Sequence, residues 1–291
     1  MTPLDRAWLA ANPLPPCETA TDKNARGRVL IAGGSERVPG ALRLTAEAAL
    51  RAGAGKVQLA TVERAALGLG LAMPEAAVFE LPANREGELA AAAGSRLVEL
   101  LGRCDTLILG PGTGKEADAG ALLDAVLAAK EPPPTLLLDA ATLGVAADRH
   151  QAIKAHVGRT VLTPHPGEMA ALMLEDPDRI ARSPADVVKA AAHQFGAVVA
   201  LKGPDTHVAT PEGVILRYPG GGPGLATGGS GDVLAGVIGG LLARGAAPFV
   251  AATWGVWLHG EAGRRLAARV GPIGFLSREL PGEIPKLMAE V

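Results

Sequence analysis

Cysteine is scarce in this chain. Cys17 and Cys104 are the only two, and their spacing matches neither a metal site nor a redox pair, which fits a reducing, cytoplasmic setting. Excess positive charge is also lacking. The formal net charge is −2 and the pI is near 6.3, so nothing marks a nucleic-acid partner. The N-terminal MTPLDRAWLAANPLPP has no basic segment followed by an apolar one, so no signal peptide is expected. The longest apolar run, 233–243, is too short to span a bilayer, and no membrane partner is expected. Three motifs are missing: G-x-x-x-x-G-K-[ST], G-x-S-x-G and H-E-x-x-H. Their absence argues against P-loop, serine-hydrolase and zinc-protease chemistry. Neither a repeat nor a heptad array nor a low-complexity linker is present. Aromatic residues make up 3% of the chain, whereas glycine (38) and proline (23) are abundant. With 48% hydrophobic residues over 291 positions, that load implies tight turns and backbone-lined loops around a large core rather than disorder.

The most informative stretch is residues 220–245, GGGPGLATGGSGDVLAGVIGGLLARG. Its first half is almost free of side chains. Its second half is helical by spacing: Leu234, Val237, Ile238 and Leu241 form one apolar face, while Ala235, Gly236, Gly239, Gly240 and Ala243 form a small face for close packing. A glycine loop feeding a helix N-terminus is an anion site, because unpaired N–H groups and the helix dipole both favour negative charge. Asp232 stands in the first helical turn. There it either complements the dipole or acts as a base aimed at a nucleophile.

The rest of the chain alternates strand and helix. Expected strands are 28–32, 56–62, 106–109, 135–139, 160–163 and 197–201, with a hairpin of 206–210 and 214–218. Expected helices are 41–52, 89–101, 116–129, part of 142–157, one from Met169, 184–196, 248–269 and about 276–289. Residues 170–183 read as a loop. Residues 1–25 read as an N-terminal arm, and 26–291 as one α/β domain with helices on both faces of a mostly parallel sheet. Gly33, Gly34 and Gly40 do not fit G-x-G-x-x-G, which sets a dinucleotide-dehydrogenase reading aside. Gly110-Pro-Gly-Thr-Gly114 follows a buried strand, where open sheets bind ligands. His165 lies between Pro164 and Pro166 at a strand–helix junction, and Glu168 opens the helix after it. Lys202 and Thr206 flank a glycine turn suited to phosphate. Trp254, Trp257 and His259 read as core packing.

Taken together, Val38-Pro-Gly-Ala41, Leu109-Gly-Pro-Gly112, Leu162-Thr-Pro-His-Pro-Gly-Glu168, Leu201-Lys-Gly-x-x-Thr206 and Gly228-Gly-Ser-Gly-Asp232 resemble the ADP-dependent NAD(P)H-hydrate dehydratases, a ribokinase-like family. The resemblance covers about residues 26–285. It implies a three-layer α/β/α fold and repair of the S epimer of hydrated NADH or NADPH, with ADP as phosphoryl donor, Mg²⁺ assisting, and AMP and phosphate released. It implies Asp232 as catalytic base and contacts to the hydrated cofactor from Ala41, Gly112, His165 and Asp232. Contacts to the adenine nucleotide would come from Lys202, Gly203, Pro204, Asp205, Thr206 and Gly231, and an anion hole from Gly229, Ser230 and Gly231. No metal ligand is assigned, although Glu168 is a candidate carboxylate near a magnesium–phosphate group. A homotetramer and a separate epimerase are implied as partners.

The chain departs from the family pattern at Ala141, where an aspartate is common, and at Asp22-Lys-Asn-Ala-Arg-Gly27, where His-Lys-Gly is usual. The alternatives are a small-molecule kinase of the same fold, acting on a sugar or vitamin-precursor hydroxyl, and a non-catalytic nucleotide-binding regulator.

Overall fold

The computed structural model describes residues 1–16, 22–114, 118–156 and 158–291. Among the described residues, ten strands form one sheet: β1 (Thr2–Pro3), β2 (Arg28–Ala32), β3 (Lys56–Val62), β4 (Ala76–Leu81), β5 (Thr106–Leu109), β6 (Thr135–Leu138), β7 (Thr160–Leu162), β8 (Val198–Leu201), β9 (Thr206–Ala209) and β10 (Ile215–Tyr218). Their spatial order is β1-β10-β9-β8-β7-β6-β5-β2-β3-β4. All pairings from β8 through β4 are parallel, and β9 runs antiparallel to both of its neighbours. Val29, Leu30, Ile31 and Ala32 are each fully buried, as expected for a strand covered on both faces.

The α-helices, in chain order, are α1 (Arg6–Ala11), α2 (Gly40–Arg51), α3 (Glu63–Ala72), α4 (Ala93–Leu101), α5 (Ala119–Leu127), α6 (Ala141–Gly144), α7 (His150–Lys154), α8 (Pro166–Met173), α9 (Pro177–Arg182), α10 (Pro184–Phe195), α11 (Ser230–Ala243), α12 (Pro248–Arg269) and α13 (Ile284–Ala289). Helices α2, α11 and α12 pack together on one side of the sheet, and α4, α5, α6, α8, α9 and α10 form a connected layer. The small face of α11 lies on the backbone of α2. A Cβ at Gly236 would stand 2.2 Å from the Thr45 carbonyl oxygen, and one at Gly240 would stand 2.5 Å from that of Ala49. This contact seats α11 closely against α2.

Several expectations need correction. Residues 170–183 are not a loop. Helix α8 starts at Pro166, three residues before Met169, because His165 caps it and Pro166 begins it with its φ already set. Helix α9 follows, with Asp176 accepting from the Asp178 N–H and Pro177 in the first turn. The helix expected over 89–101 begins only at Ala93. That expected over 116–129 is observed as Ala119–Leu127, its first expected residues lying outside the described ones. The mixed stretch 142–157 resolves into α6, a short 3₁₀ turn and α7, and position 157 lies outside the described residues. The last helix opens with 3₁₀ turns over Ser277–Glu283. Helix α3 and strand β4 were not read from the sequence, since Gly68 and Gly70 weaken the helical pattern and β4 is an edge strand rich in alanine. At the opposite edge β1 pairs with β10, and the Asp5 carboxylate caps α1, burying Leu9. Cys17 lies outside the described residues, and Cys104 is buried, which pushes its thiol up to about 12. Among the described residues, no helix is long and apolar enough to cross a membrane.

Candidate active site

The sheet order reverses at β2, which has β3 on one side and β5 on the other. Chains leaving the carboxyl ends of β2 and β5 therefore diverge and open a crevice, the usual ligand position in such sheets. The two loops meet there. The Gly34 N–H donates to the Pro111 carbonyl at 2.8 Å. Gly112 has φ +70, and a Cβ on it would stand 2.7 Å from the Ala41 Cβ and 2.9 Å from the Val38 carbonyl oxygen. Ala41 and Gly112 are thus adjacent. Gly112→Ala combines left-handed strain with that overlap and is expected to cost about 1–3 kcal/mol of stability and to disturb this wall first. Thermal unfolding checks it; an unchanged Tm would refute the close packing.

The next loop supplies His165. As N-cap of α8, its Nδ1 accepts from the N–H groups of Gly167 (3.0 Å) and Glu168 (3.2 Å). The backbone N–H of His165 donates to Glu168 Oε2 at 2.7 Å, closing a capping box. With Nδ1 accepting, a neutral ring carries its proton on Nε2, which lies 3.4 Å from Glu168 Oε1. The ring remains about half exposed, so the residue both caps the helix and offers an edge to a ligand.

Behind it is a cluster of charge. Lys202 Nζ donates to Asp139 Oδ1 at 3.1 Å and stands 3.5 Å from Glu168 Oε2. Asp139 Oδ1 also accepts from Thr163 Oγ1 at 2.8 Å. Ala140, the residue after Asp139, has φ +51, a strained value for alanine. Burial alone would push the Lys202 ammonium down, but Asp139 and Glu168 outweigh it and hold it above its ordinary value. Glu168 moves up, chiefly through burial and with Asp139 adding, against the pull of Lys202. The ammonium reaches the start of α11, since a Cβ on Gly231 would lie 3.5 Å from Nζ. Asp232 comes next. Burial, with Asp139 and then Glu168 adding, pushes its carboxyl up to about 7, even though Lys202 works in the other direction. A carboxylate tuned to that range can exchange a proton near neutral pH.

The first turn of α11 faces a cavity of about 880 Å³, within the roughly 300–1,000 Å³ of small-molecule sites. Lys202, Gly203, Pro204 and Thr206 form one wall, and the glycine loop through Ser230 and Gly231 forms another. His165 sits at the edge, and Tyr218, Val256 and His259 also line the cavity. The N–H groups of Gly231 and Asp232 have no helical carbonyl four residues back and can serve an anion. The Ser277 hydroxyl donates to the Gly228 carbonyl at 2.8 Å, and Arg264 donates to that of Gly220 at 2.8 Å, so the loop is tied down at both ends. A Cβ on Gly229 would stand 2.5 Å from Leu44 Cδ1, one turn beyond Ala41. Gly229 is therefore packed between α2 and the turn at Ser277.

Most of the residues named from the sequence come together here. Asp205 does not face the cavity through its carboxylate, which pairs with Arg217 at 2.6 Å across the hairpin. Asp139 and Tyr218 are not among the site residues expected from the sequence, and His259, expected as core packing, lines the cavity instead. Asp139 carried a readable signal, an acid at the carboxyl end of a buried strand; the other two lie on elements that read as hairpin and core helix. Trp254 and Trp257 are buried as expected. Among the described residues, no cluster of three or more His, Cys, Asp or Glu could hold a metal ion.

A family model described as NAD(P)H-hydrate dehydratase matches residues 29–286. An ADP-dependent (S)-NAD(P)H-hydrate dehydratase from Xanthomonas campestris is 47% identical over 284 residues, covering 97% of this chain and 94% of the relative. A bifunctional NAD(P)H-hydrate repair enzyme Nnr from Moorella thermoacetica is 37% identical over 98% of this chain, which spans only 53% of that longer relative. Among solved structures, an ADP/ATP-dependent NAD(P)H-hydrate dehydratase from Bacillus subtilis, co-crystallised with ATP and Mg²⁺, superposes with a TM-score of 0.83 at 25% identity, covering 99% of this chain and 98% of that one. A ribokinase-like superfamily protein from Enterococcus faecalis gives 0.80 at 26% identity, covering 95% and 92%. The fold is therefore ribokinase-like, and with a family match and a close relative both running nearly end to end, the chain belongs to the NAD(P)H-hydrate dehydratase family of enzymes.

Proposed function

We propose that this enzyme restores NADH or NADPH from the S epimer of its hydrate in an ADP-dependent dehydration that releases AMP and phosphate. The observation that carries the reading is Asp232, with its carboxyl raised to about 7, placed in the first turn of α11 beside Gly231, which lines the cavity, and within reach of the Lys202 charge. The adenine nucleotide occupies the cavity against Lys202, Gly203, Pro204, Thr206 and Gly231, and the hydrated nicotinamide lies toward Ala41, Gly112 and His165. ADP supplies the phosphoryl group that turns hydroxide, a poor leaving group, into phosphate, a good one.

Asp232 takes the proton of the ring hydroxyl as its oxygen bonds to phosphorus, a contribution of roughly 10²–10⁴-fold for a positioned base. The N–H groups at Gly229 and Gly231 and the Lys202 ammonium hold the charge of the transferring group, while the Ser230 N–H is taken by the Thr227 carbonyl. Departure of phosphate with loss of a ring proton then regenerates the dihydropyridine. Mg²⁺ is assigned to the nucleotide phosphates. The carboxylates at hand suit that role and not a protein cage, because Glu168 faces Lys202 and the His165 N–H. Ala141 leaves no second carboxylate beside Asp139. The reading includes a cytoplasmic homotetramer, one unit over residues 26–291, and a separate epimerase that supplies the S form; the bifunctional relatives, about twice as long, support the pairing of the two activities.

The test is absorbance at about 340 nm, where the dihydronicotinamide product absorbs, after mixing folded protein with hydrated NADH, Mg²⁺ and ADP or ATP. Recovery that depends on ADP is expected. No recovery with either nucleotide would sink the dehydratase, and accumulation of a stable phosphorylated product would point to a kinase of the same fold.

A further inference from the structure

His259 has no part in the chemistry above, yet its ring reaches the phosphoryl end of the cavity. It projects from α12, where Val256 and Gly260 on the same helix also line the cavity. Its Nε2 lies 3.0 Å from Ser230 Oγ, the hydroxyl of the first residue of α11. Burial pushes the imidazole down to about 4, opposed by its approach to the Ser230 backbone and aided by the nearby Lys202 charge. The ring is therefore neutral at physiological pH and carries a single N–H.

Other bonds already hold the backbone at this helix start. The Ser230 N–H donates to the Thr227 carbonyl at 3.3 Å, and the Val233 N–H to that of Gly229 at 3.1 Å. The Ser277 hydroxyl pins Gly228. The helix start is thus held without the imidazole, whose Nε2 stands at hydrogen-bond distance from the Ser230 hydroxyl. A serine hydroxyl rotates freely and has one proton to give. If Nε2–H occupies one of its lone pairs, that proton turns away from the ring and toward the cavity.

The geometry points to His259 as a positioning residue for the nucleotide: its Nε2–H donates to Ser230 Oγ, so that the serine hydroxyl donates to a phosphate oxygen at the mouth of α11. This rests on the proposed nucleotide site and adds to it a donor held in advance of the reaction. Such preorganisation matters because the group does not have to reorient as charge develops. Lys202 brings charge to the same place; the neutral His259 brings direction without burying a second cation.

The test is a double-mutant cycle on the full chain with His259→Phe, Ser230→Ala and the pair. It is read by calorimetric titration with Mg·ADP alone and by steady-state kinetics. Each single variant is expected to weaken Mg·ADP binding about tenfold and to lower kcat by a similar factor. KM for the hydrated cofactor should stay at its wild-type value, and the pair should be no worse than either single. Wild-type affinity for Mg·ADP in His259→Phe, or losses that multiply in the pair, would overturn the inference. Ser230→Ala removes the same bond without a bulky ring and decides the matter if His259→Phe folds poorly. Wild-type enzyme that binds Mg·ADP but never restores the dihydropyridine would refute the dehydratase reading while leaving this cycle readable.

Discussion

Asp232→Asn should remove most turnover and, at the same time, make the protein harder to unfold. The loss follows from the proton: an amide cannot take it from the hydroxyl, and kcat is expected to fall by about 10²–10⁴-fold with KM little changed. The gain follows from burial. The carboxyl moves from an ordinary 3.8 to about 7 in the folded chain, so between those values the folded state binds the proton that the unfolded state has released. The stability contributed by protonated Asp232 is fully present below 3.8 and is lost as the pH rises through about 7. Asparagine has no charge to bury, so the variant escapes that loss. Discounted for the partial exposure of the group, the gain is about 1–3 kcal/mol at pH 8, shrinking toward zero near pH 4. Melting curves of both proteins at the two pH values check it. Equal Tm at pH 8 would mean that the carboxylate is better solvated than its surroundings suggest. In the wild type, kcat/KM should rise with pH and level off above about 7.

Lys202→Met should do the reverse to stability. It leaves Asp139 and Glu168 facing each other without the ammonium that lies 3.1 and 3.5 Å from them. Removing one partner from a buried ionic cluster costs about 3–5 kcal/mol because the remaining charge is uncompensated. The penalty should ease as the pH falls, because burial raises Glu168 and makes its carboxyl easier to protonate than an ordinary glutamate. Lys202 also holds Asp232 down, so its loss should move the ascending limb of the pH–rate profile to higher pH. Chemical denaturation at pH 8 and the pH profile together decide the point. A variant as stable as wild type, with the limb unmoved, would show that the cluster is not coupled as its distances indicate. Lys202→Arg keeps the charge but spreads it over a planar group. It is expected to recover stability more fully than turnover.

The sequence by itself determined the alternating α/β class, the helix after the glycine loop and the order of the ligand-facing loops. Each of these is local: apolar periodicity, a proline that opens a helix and a glycine run are legible within a dozen residues. It failed on 170–183, where the caps at His165 and Asp176 were present but the hydrophobic pattern was too weak to show two short helices. It also failed on α3 and β4, whose glycines and alanines carry little pattern of their own and depend on the neighbouring strand and helix. Only the tertiary structure decided which side chains face one another. Asp139, Glu168, Lys202 and Asp232 are separated by up to 93 positions in the chain, and their shared charge exists only because β6, α8, β8 and α11 bring their ends together. The protonation range of Asp232 follows from that juxtaposition, since burial and neighbouring charge are properties of the assembled site. His259 shows the same limit: its place on an apolar helix suggested packing, and only the fold put its Nε2 against Ser230.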